Sequence, residues 1–361
     1  MKVLYLTDPR PDYLADQIYD GLCATFGWSN VFDYPHKGIY HQPHERAAYY
    51  FQNPGHHLTT DAAASMMRER SIDLMIVSSP RPGALAAFQS LAGQSGGPPV
   101  VLLDGEDDGL IRAEFANSIG AGLYFKREYK TSGGYGNGIW SRPATCHDNG
   151  RLNGRIHPLP FSVTAAALSA APTDARDIDI SFVGRASHRK RVRAVNLLRR
   201  MKGIRFEGGV YLDVSDRRSK LAASWLGIAA AKLMGDPRAS VSAQAGRLGS
   251  EQYRSLLRRS KMALSVRGSG FDTVRYWEIV ASKALLVSEP PDIVIPHNFE
   301  HGRHAVFCRH DLRDLPAIVR RFRDDDRTRH EMVEAGYQHL LNFHTSERRA
   351  AYLLDLCRRM L

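Results

Sequence analysis

The residues best suited to chemistry lie in SVRGSGFDTVRYWEIVASKALLVSE, residues 265–289. An apolar strand ending at Val266 runs into Arg267-Gly268-Ser269-Gly270, and the pattern predicts a helix starting near Asp272 or Thr273. Free N–H groups at a helix N-terminus favour an anion, glycines let the backbone approach it, and arginines such as Arg267 and Arg275 add charge-assisted hydrogen bonds. The spacing suits a diphosphate. Glu278, six residues beyond Asp272, falls further down the helix, where a carboxylate can accept hydrogen bonds from vicinal ribose hydroxyls without facing the phosphates. On spacing alone a plainer alternative stands beside this one: Asp272 or Thr273 caps a helix, Arg275 lies at the surface and Trp277 packs in a core. Thr273 occupies the place of the third glycine of a dinucleotide fingerprint, and no Walker A sequence is present.

Two halves of alternating strands and helices must position these residues. KVLYLTD, NVFDY, DLMIVSS, PPVVLLDGEDD and GLYFKRE read as strands of a parallel sheet covered on both faces, separated by helical stretches. Their polar ends, Asp8 after the first, Ser78 and Ser79 after the third and Asp104 to Asp108 after the fourth, face the ligand crevice of an open α/β sheet. The pattern breaks between about residues 131 and 176 into a loop-like composition, so a domain boundary is expected there, placed at 160/161. The second half repeats the alternation: strands in IDISFVGR, IRFEGGV, MALSVRG, ALLVSE and HAVFCR, helices in SEQYRSLLRRS and TVRYWEIVASK, and a helical tail. The fold class expected is α/β with two Rossmann-like domains, 1–160 and 161–361, the last helix able to pack back on the first domain.

Composition agrees. A chain of 361 residues exceeds the roughly 250 at which one core stops growing. Its 43% hydrophobic and 24% charged residues are those of a globular protein, and no apolar run approaches the ~18 residues of a membrane span. The opening MKVLYLTDPRPD lacks the features of a secretory signal, so a cytoplasmic location is expected. Four cysteines, Cys23, Cys146, Cys308 and Cys357, form no CxxC pair and read as reduced thiols, and Cys308 with His310 lacks the further ligands of a metal site. The net charge of +11 attracts anions, among them nucleotide diphosphates, nucleic acid and acidic lipid headgroups. Much of it is arginine in RKRVRAVNLLRRMKGIRF, where Val192, Val195, Leu198 and Met201 form a buried stripe and the arginines are expected to be solvated.

The 265–289 segment resembles the C-terminal domain of bacterial glycosyltransferases of the spore maturation protein type, and the related pattern of exostosin-like glycosyltransferases. The resemblance rests on the arginine/glycine loop, the T-x-R-x-x-E core at Thr273, Arg275 and Glu278, the turn at Ala281-Ser282-Lys283 and the strand from Ala284 to Val287. It extends to the tail and its His-Thr-x-x-x-Arg ending at His344, Thr345 and Arg349, and spans about residues 178–355. Lys283 stands where relatives commonly have glycine. The resemblance implies a GT-B fold, two Rossmann-like domains facing each other, the C-terminal one holding a nucleotide sugar and the N-terminal one an acceptor. By that analogy Arg267, Gly268, Asp272, Thr273 and Arg275 serve the diphosphate, Glu278 the ribose, and Gly184 and Arg185 at the end of FVGR join them. Arg189 and Lys190 add charge nearby.

Catalysis then falls to the facing loops. An inverting transfer needs a carboxylate or histidine near the acceptor hydroxyl, and Asp104 followed by Glu106 is the expected base. Lys126, Arg127 and Glu128 of YFKRE, with Asp8 and His36, are expected toward the acceptor or sugar, and His41 and His44 share the segment of His36. Asp177-Ile178-Asp179 leads into a strand and Asp324 to Asp326 are helical, so metal-independent transfer without a cofactor is expected, with a UDP-, GDP- or dTDP-sugar as donor. Two alternatives remain: transfer to modified bases in DNA, nucleic acid being the less favoured partner, and a non-catalytic GT-B binding module.

Overall fold

The computed structural model describes residues 1–41, 57–91, 97–130, 152, 154–168, 176–211 and 248–361. His44, Cys146 and most of the glycine-rich 131–160 segment lie outside the described residues. The chain's contacts divide it into two units: Met1–Ser169 with Ile293–His297 and Leu341–Leu361, and Ala170–Asp292 with Asn298–Leu340.

The first unit runs β1 (Val3–Leu6), α1 (Tyr13–Phe26), β2 (Val31–Tyr34), α2 (Thr60–Arg68), β3 (Leu74–Val77), α3 (Pro82–Ser90), β4 (Val100–Asp104), α4 (Ala113–Ser118), β5 (Leu123–Lys126), β6 (Ile156–Pro158) and α5 (Ala165–Leu168). The second contains β7 (Ile178–Arg185), α6 (Arg189–Arg199), β8 (Phe206–Tyr211), α7 (Ser250–Arg259), β9 (Ser260–Ser265), α8 (Val274–Ala281), β10 (Leu285–Ser288), β11 (Val306–Phe307), α9 (Leu315–Asp324) and most of α10 (Asp326–Phe343). The last helix, α11 (Ser346–Met360), belongs to the first unit.

Each unit is built on one sheet, in the orders β2-β1-β3-β4-β5-β6 and β11-β10-β9-β7-β8, and every neighbouring pair is parallel. β1, β3 and β10 are buried at every position, as strands covered on both faces must be, and this is why they read as unbroken apolar runs. In each sheet the unit's first strand lies between its second and third, so the direction of winding reverses between β1 and β3 and again between β7 and β9. At such a point the loops leaving the carboxyl ends of the two strands diverge and open a crevice for a ligand. The loop after β9 carries Arg267, and that after β7 follows Gly184 and Arg185.

Some expectations are corrected. GLYFKRE is not the last strand of its sheet, since β6 pairs beyond it, and HAVFCR reduces to the two-residue β11. The arginine-rich helix buries Val192, Val195 and Leu198, but it buries Arg191 as well. The His-Thr-x-x-x-Arg ending is a structural lock. Buried His344 bonds the His297 carbonyl at 2.8 Å and the Arg349 guanidinium at 2.7 Å, while Thr345 caps α11. α11 packs on α1 so closely that a Cβ on Gly21 would stand 2.1 Å from the Ser346 carbonyl oxygen. Among the described residues no helix is long and apolar enough to cross a membrane.

Candidate functional site

In the second unit, α8 starts at Val274 with Thr273 as its N-cap, yet no side chain caps it. Asp272 does not do so, because its carboxylate accepts the Trp277 indole N–H at 2.8 Å and is thereby held in the interior. The Thr273 hydroxyl meets Ser265 at 3.1 Å. The Tyr276 N–H donates to the Thr273 carbonyl at 2.9 Å, while the Val274 and Arg275 N–H groups at the positive end of the helix dipole receive no side-chain cap among the described residues. Arg275 lies across the Phe182 ring and donates from Nη2 to the Val183 carbonyl, while its Nε and Nη1 are buried without a hydrogen-bond partner among the described residues. Such donors are costly to bury unless something accepts from them. Gly184 is small because Arg275 passes there: an added Cβ would lie 2.8 Å from its Nη2.

The loop itself is held by two groups that sequence reasoning passed over, Arg191 and Glu289. Arg191 donates from Nε to the Arg267 carbonyl at 3.1 Å and from Nη1 to the Arg185 carbonyl at 3.0 Å, tying the loops after β7 and β9 together. Its guanidinium also explains Gly268, where a Cβ would come within 2.7 Å of Nη2. Buried Glu289 accepts the Arg267 backbone N–H at 2.8 Å and pairs with the Lys190 ammonium, so Lys190 is anchored here. His188 caps α6, accepting from the Lys190 N–H at 3.1 Å. Burial first, then the charges of Arg267 and Lys190, push its pKa down to about 4 against the opposing charge of Glu289. Arg191 was read as one more solvated arginine. Its signal was its place beside the strand end, where an exposed helix face is least expected.

Tyr253 of α7 adds an unforeseen group. Its hydroxyl is buried beside Arg275 and Glu278, and burial first, with the charge of Glu278 next, holds the phenol well above its usual range. Glu278 is half-buried in the middle of α8. Arg185 is exposed at the end of β7. Arg267 stacks on Phe271, its guanidinium 4.1 Å from the ring centroid. Lys283, in the turn after α8, adopts a left-handed φ of 54°, a region that favours glycine.

Charge separates the units. The first holds 18 Lys and Arg against 18 Asp and Glu, net zero; the second holds 31 against 20, which is the entire +11.

In the first unit the expected base, Asp104, is 0% exposed. The parallel register sets it opposite Lys126, whose Nζ donates to Oδ1 at 2.9 Å. Oδ2 accepts from Arg112 at 2.9 Å and from the Tyr124 hydroxyl, and Oδ1 also accepts the Glu106 N–H at 3.0 Å. All its lone-pair directions are in use. Lys126, Arg127 and Glu128 are buried too: Arg127 binds the Gly105 carbonyl and the Asp107 carboxylate, lies over Phe161 and stands 3.4 Å from Glu128. The group expected at a charged strand end is an internal network that shapes the loop after β4. On that loop Glu106 pairs with Arg81 at 2.6 Å, and Asp107 has 57% of its side chain exposed.

Asp8 accepts the Gly83 N–H at the start of α3 and three bonds from Arg10. Burial raises its pKa, but Arg10 and the Gly83 N–H outweigh that and hold the carboxyl below the usual range. His36 lies past the end of β2, with His41 and Asp33.

Residues 212–355, which include the loop after β9, α8 and Glu289, match the model of the family described as Glycosyl transferase-like. A search of curated proteins finds no match. Among solved structures the chain is similar to Anabaena HepE in complex with UDP-glucose, with a TM-score of 0.60 and 10% identity over 98% of this chain and 99% of that one. It is similar to a glycosyltransferase from Rickettsia africae, with a TM-score of 0.62 and 10% identity over 99% and 98%. Sucrose-phosphate synthase from Thermosynechococcus elongatus gives 0.59 and 12% over 99% of each chain. These likenesses establish the GT-B fold.

Proposed function

We propose that this chain is a glycosyltransferase that takes a sugar from a nucleoside diphosphate and passes it to a hydroxyl of a small-molecule, glycan or peptide acceptor. The observation that carries the reading is the N-terminus of α8, which no side chain among the described residues caps, flanked by Arg267 and by Arg275, whose Nε and Nη1 are buried close to Tyr253 and short of an acceptor at hydrogen-bond distance among those residues, with Glu278 further along the same helix. The diphosphate accepts from the leading N–H groups and from Arg275 and Arg267, while Thr273, Gly268 and the loop after Gly184 and Arg185 shape the cradle. Glu278 accepts from the ribose hydroxyls, and Asp272 holds the helix start through Trp277. Cleavage of the sugar–phosphate bond leaves negative charge on the diphosphate, and these cations stabilise it. The groups facing the leaving phosphate are cationic, which supports transfer without a divalent ion there. The confinement of the whole positive excess to this unit favours a sugar nucleotide over nucleic acid as the bound anion. UDP-glucose, the ligand of the HepE structure, is the first donor to test.

For the acceptor side we assign the accessible carboxylates Glu106 and Asp107 as candidates for the base. Asp104, Lys126, Arg127 and Glu128 position their loop, and Asp8 and His36 remain candidates at neighbouring strand ends. Calorimetric titration with UDP, GDP and dTDP, followed by turnover of the matching nucleotide sugar, tests the reading. One diphosphate should bind and Glu278→Ala should weaken it about 100-fold, the loss of two hydrogen bonds to a charged group. Failure of all three to bind, or an unchanged affinity in Glu278→Ala, overturns it.

A further inference from the structure

Asp33 is the third residue of β2, an edge strand of the first sheet, and its carboxylate is buried. The segment that follows folds back on it. The Lys37 backbone N–H donates to Oδ2 at 2.7 Å, and His41 Nε2 stands 2.9 Å from Oδ1. His36 Nδ1 lies 3.9 Å from Oδ2, buried and without a hydrogen-bond partner among the described residues. One ligand atom from each of Asp33, His36 and His41 can be chosen so that all three lie within 4.8 Å of one another.

We propose that Asp33, His36 and His41 bind a divalent transition-metal ion of the zinc type. Two imidazoles and one carboxylate are the donor set such ions prefer, and a tetrahedral shell with bonds of about 2.0–2.1 Å spaces its ligand atoms about 3.3 Å apart. The Asp33–His41 separation is already near that value, so the ion replaces the proton between them. His36 Nδ1, 3.9 Å from Asp33 Oδ2, closes the set by a turn of its ring, within the reach of a side chain that is 26% exposed. The surroundings fit a cation. Lys37, the nearest basic residue in sequence, turns its ammonium away to Asp16 at 2.8 Å, while its N–H orients Asp33 from behind, as outer partners of metal ligands do. His57 and His41 stack on His36 with ring centroids 4.5 and 4.4 Å away, so coordination requires the His36 ring to turn out of this stack until its lone pair and that of His41 meet at one ion. The remaining coordination positions fall to water. The site lies on the first unit's edge strand and does not depend on sugar transfer.

The full chain, stripped with a chelator, is titrated with Zn²⁺ against a chromophoric competitor and with Co²⁺ followed by visible absorption. One equivalent should bind with the intense bands of a low-symmetry cobalt site. His36→Ala and His41→Ala should each weaken it by roughly 100-fold or more, and His330→Ala, on an exposed helix position, should leave it unchanged. His36 has 26% of its side chain exposed, so its removal spares the core. X-ray absorption of the zinc-loaded wild type gives a readout that needs no variant, and two imidazoles are expected in the shell. Wild-type binding no tighter than that of His36→Ala, or a shell without imidazole, overturns the proposal.

Discussion

Replacing Asp104 by Asn separates an anchor from a base. The carboxylate is fully buried with Lys126, which is also 0% exposed, and it takes bonds from Lys126, Arg112, Tyr124 and the Glu106 N–H. Asn keeps the shape but loses the charge and turns an N–H₂ toward donors. Breaking a buried pair by removing one partner costs about 3–5 kcal/mol. Asp108, 3.5 Å from the Lys126 ammonium but 45% exposed, offsets part of this, so a loss near 3 kcal/mol is expected. Because a chain of two units need not unfold in one step, amide exchange of β4 and β5 under increasing urea is the assay of choice. Those amides should lose protection in Asp104→Asn and regain part of it in Asp104→Asn with Lys126→Met, where the orphaned charge is gone. Wild-type protection combined with abolished sugar transfer would refute the reasoning and return Asp104 to the role of base.

Other perturbations follow from the same geometry. Arg275→Lys should weaken diphosphate binding at least ~10-fold, since an ammonium cannot reproduce the guanidinium's planar fork on Phe182 and the Val183 carbonyl; calorimetry reads this directly. For His188, a folded pKa near 4 lies below the unfolded value near 6.5, so the unfolded chain binds the extra proton. Its contribution to stability is complete above about pH 6.5 and is lost as pH falls toward 4, and urea midpoints for the second unit should follow that window less steeply in His188→Asn. Gly21→Ala should destabilise the first unit by about 1–3 kcal/mol by forcing α1 off α11, seen as a lowered Tm. Lys283→Gly should change stability by less than about 1 kcal/mol in thermal unfolding, relief of the left-handed φ being offset by loss of the Glu334 pair at 3.0 Å.

The strands were legible because a sheet buried on both faces leaves unbroken apolar runs, and the start of α8 was legible because glycines and a threonine interrupt such a run at Val266. What stayed hidden depends on partners distant in the chain. Nothing within DGEDD says that Asp104 will be consumed by Lys126; the clue was that two adjacent parallel strands both end in charge, which their register sets face to face. Arg191 sits in a run of arginines whose neighbours are solvated, and only the carbonyls of Arg185 and Arg267 distinguish it. Glu289 is only the polar end of ALLVSE in the sequence, and nothing there foretells that it accepts the Arg267 N–H. His36 and His41 were legible as one histidine-bearing segment, while Asp33, inside the strand NVFDY, carried no such signal, because only the fold brings both imidazoles to its carboxylate.

The partition of charge has a kinetic corollary. An anion diffusing toward the protein is drawn by the monopole of the second unit, and added salt shortens the reach of that attraction to about 8 Å at physiological ionic strength. An uncharged acceptor meeting the neutral first unit feels no such pull. Raising ionic strength should therefore slow encounter with the nucleotide while leaving encounter with a neutral acceptor unaltered, so that the salt dependence of the two apparent second-order rate constants labels which unit each substrate visits.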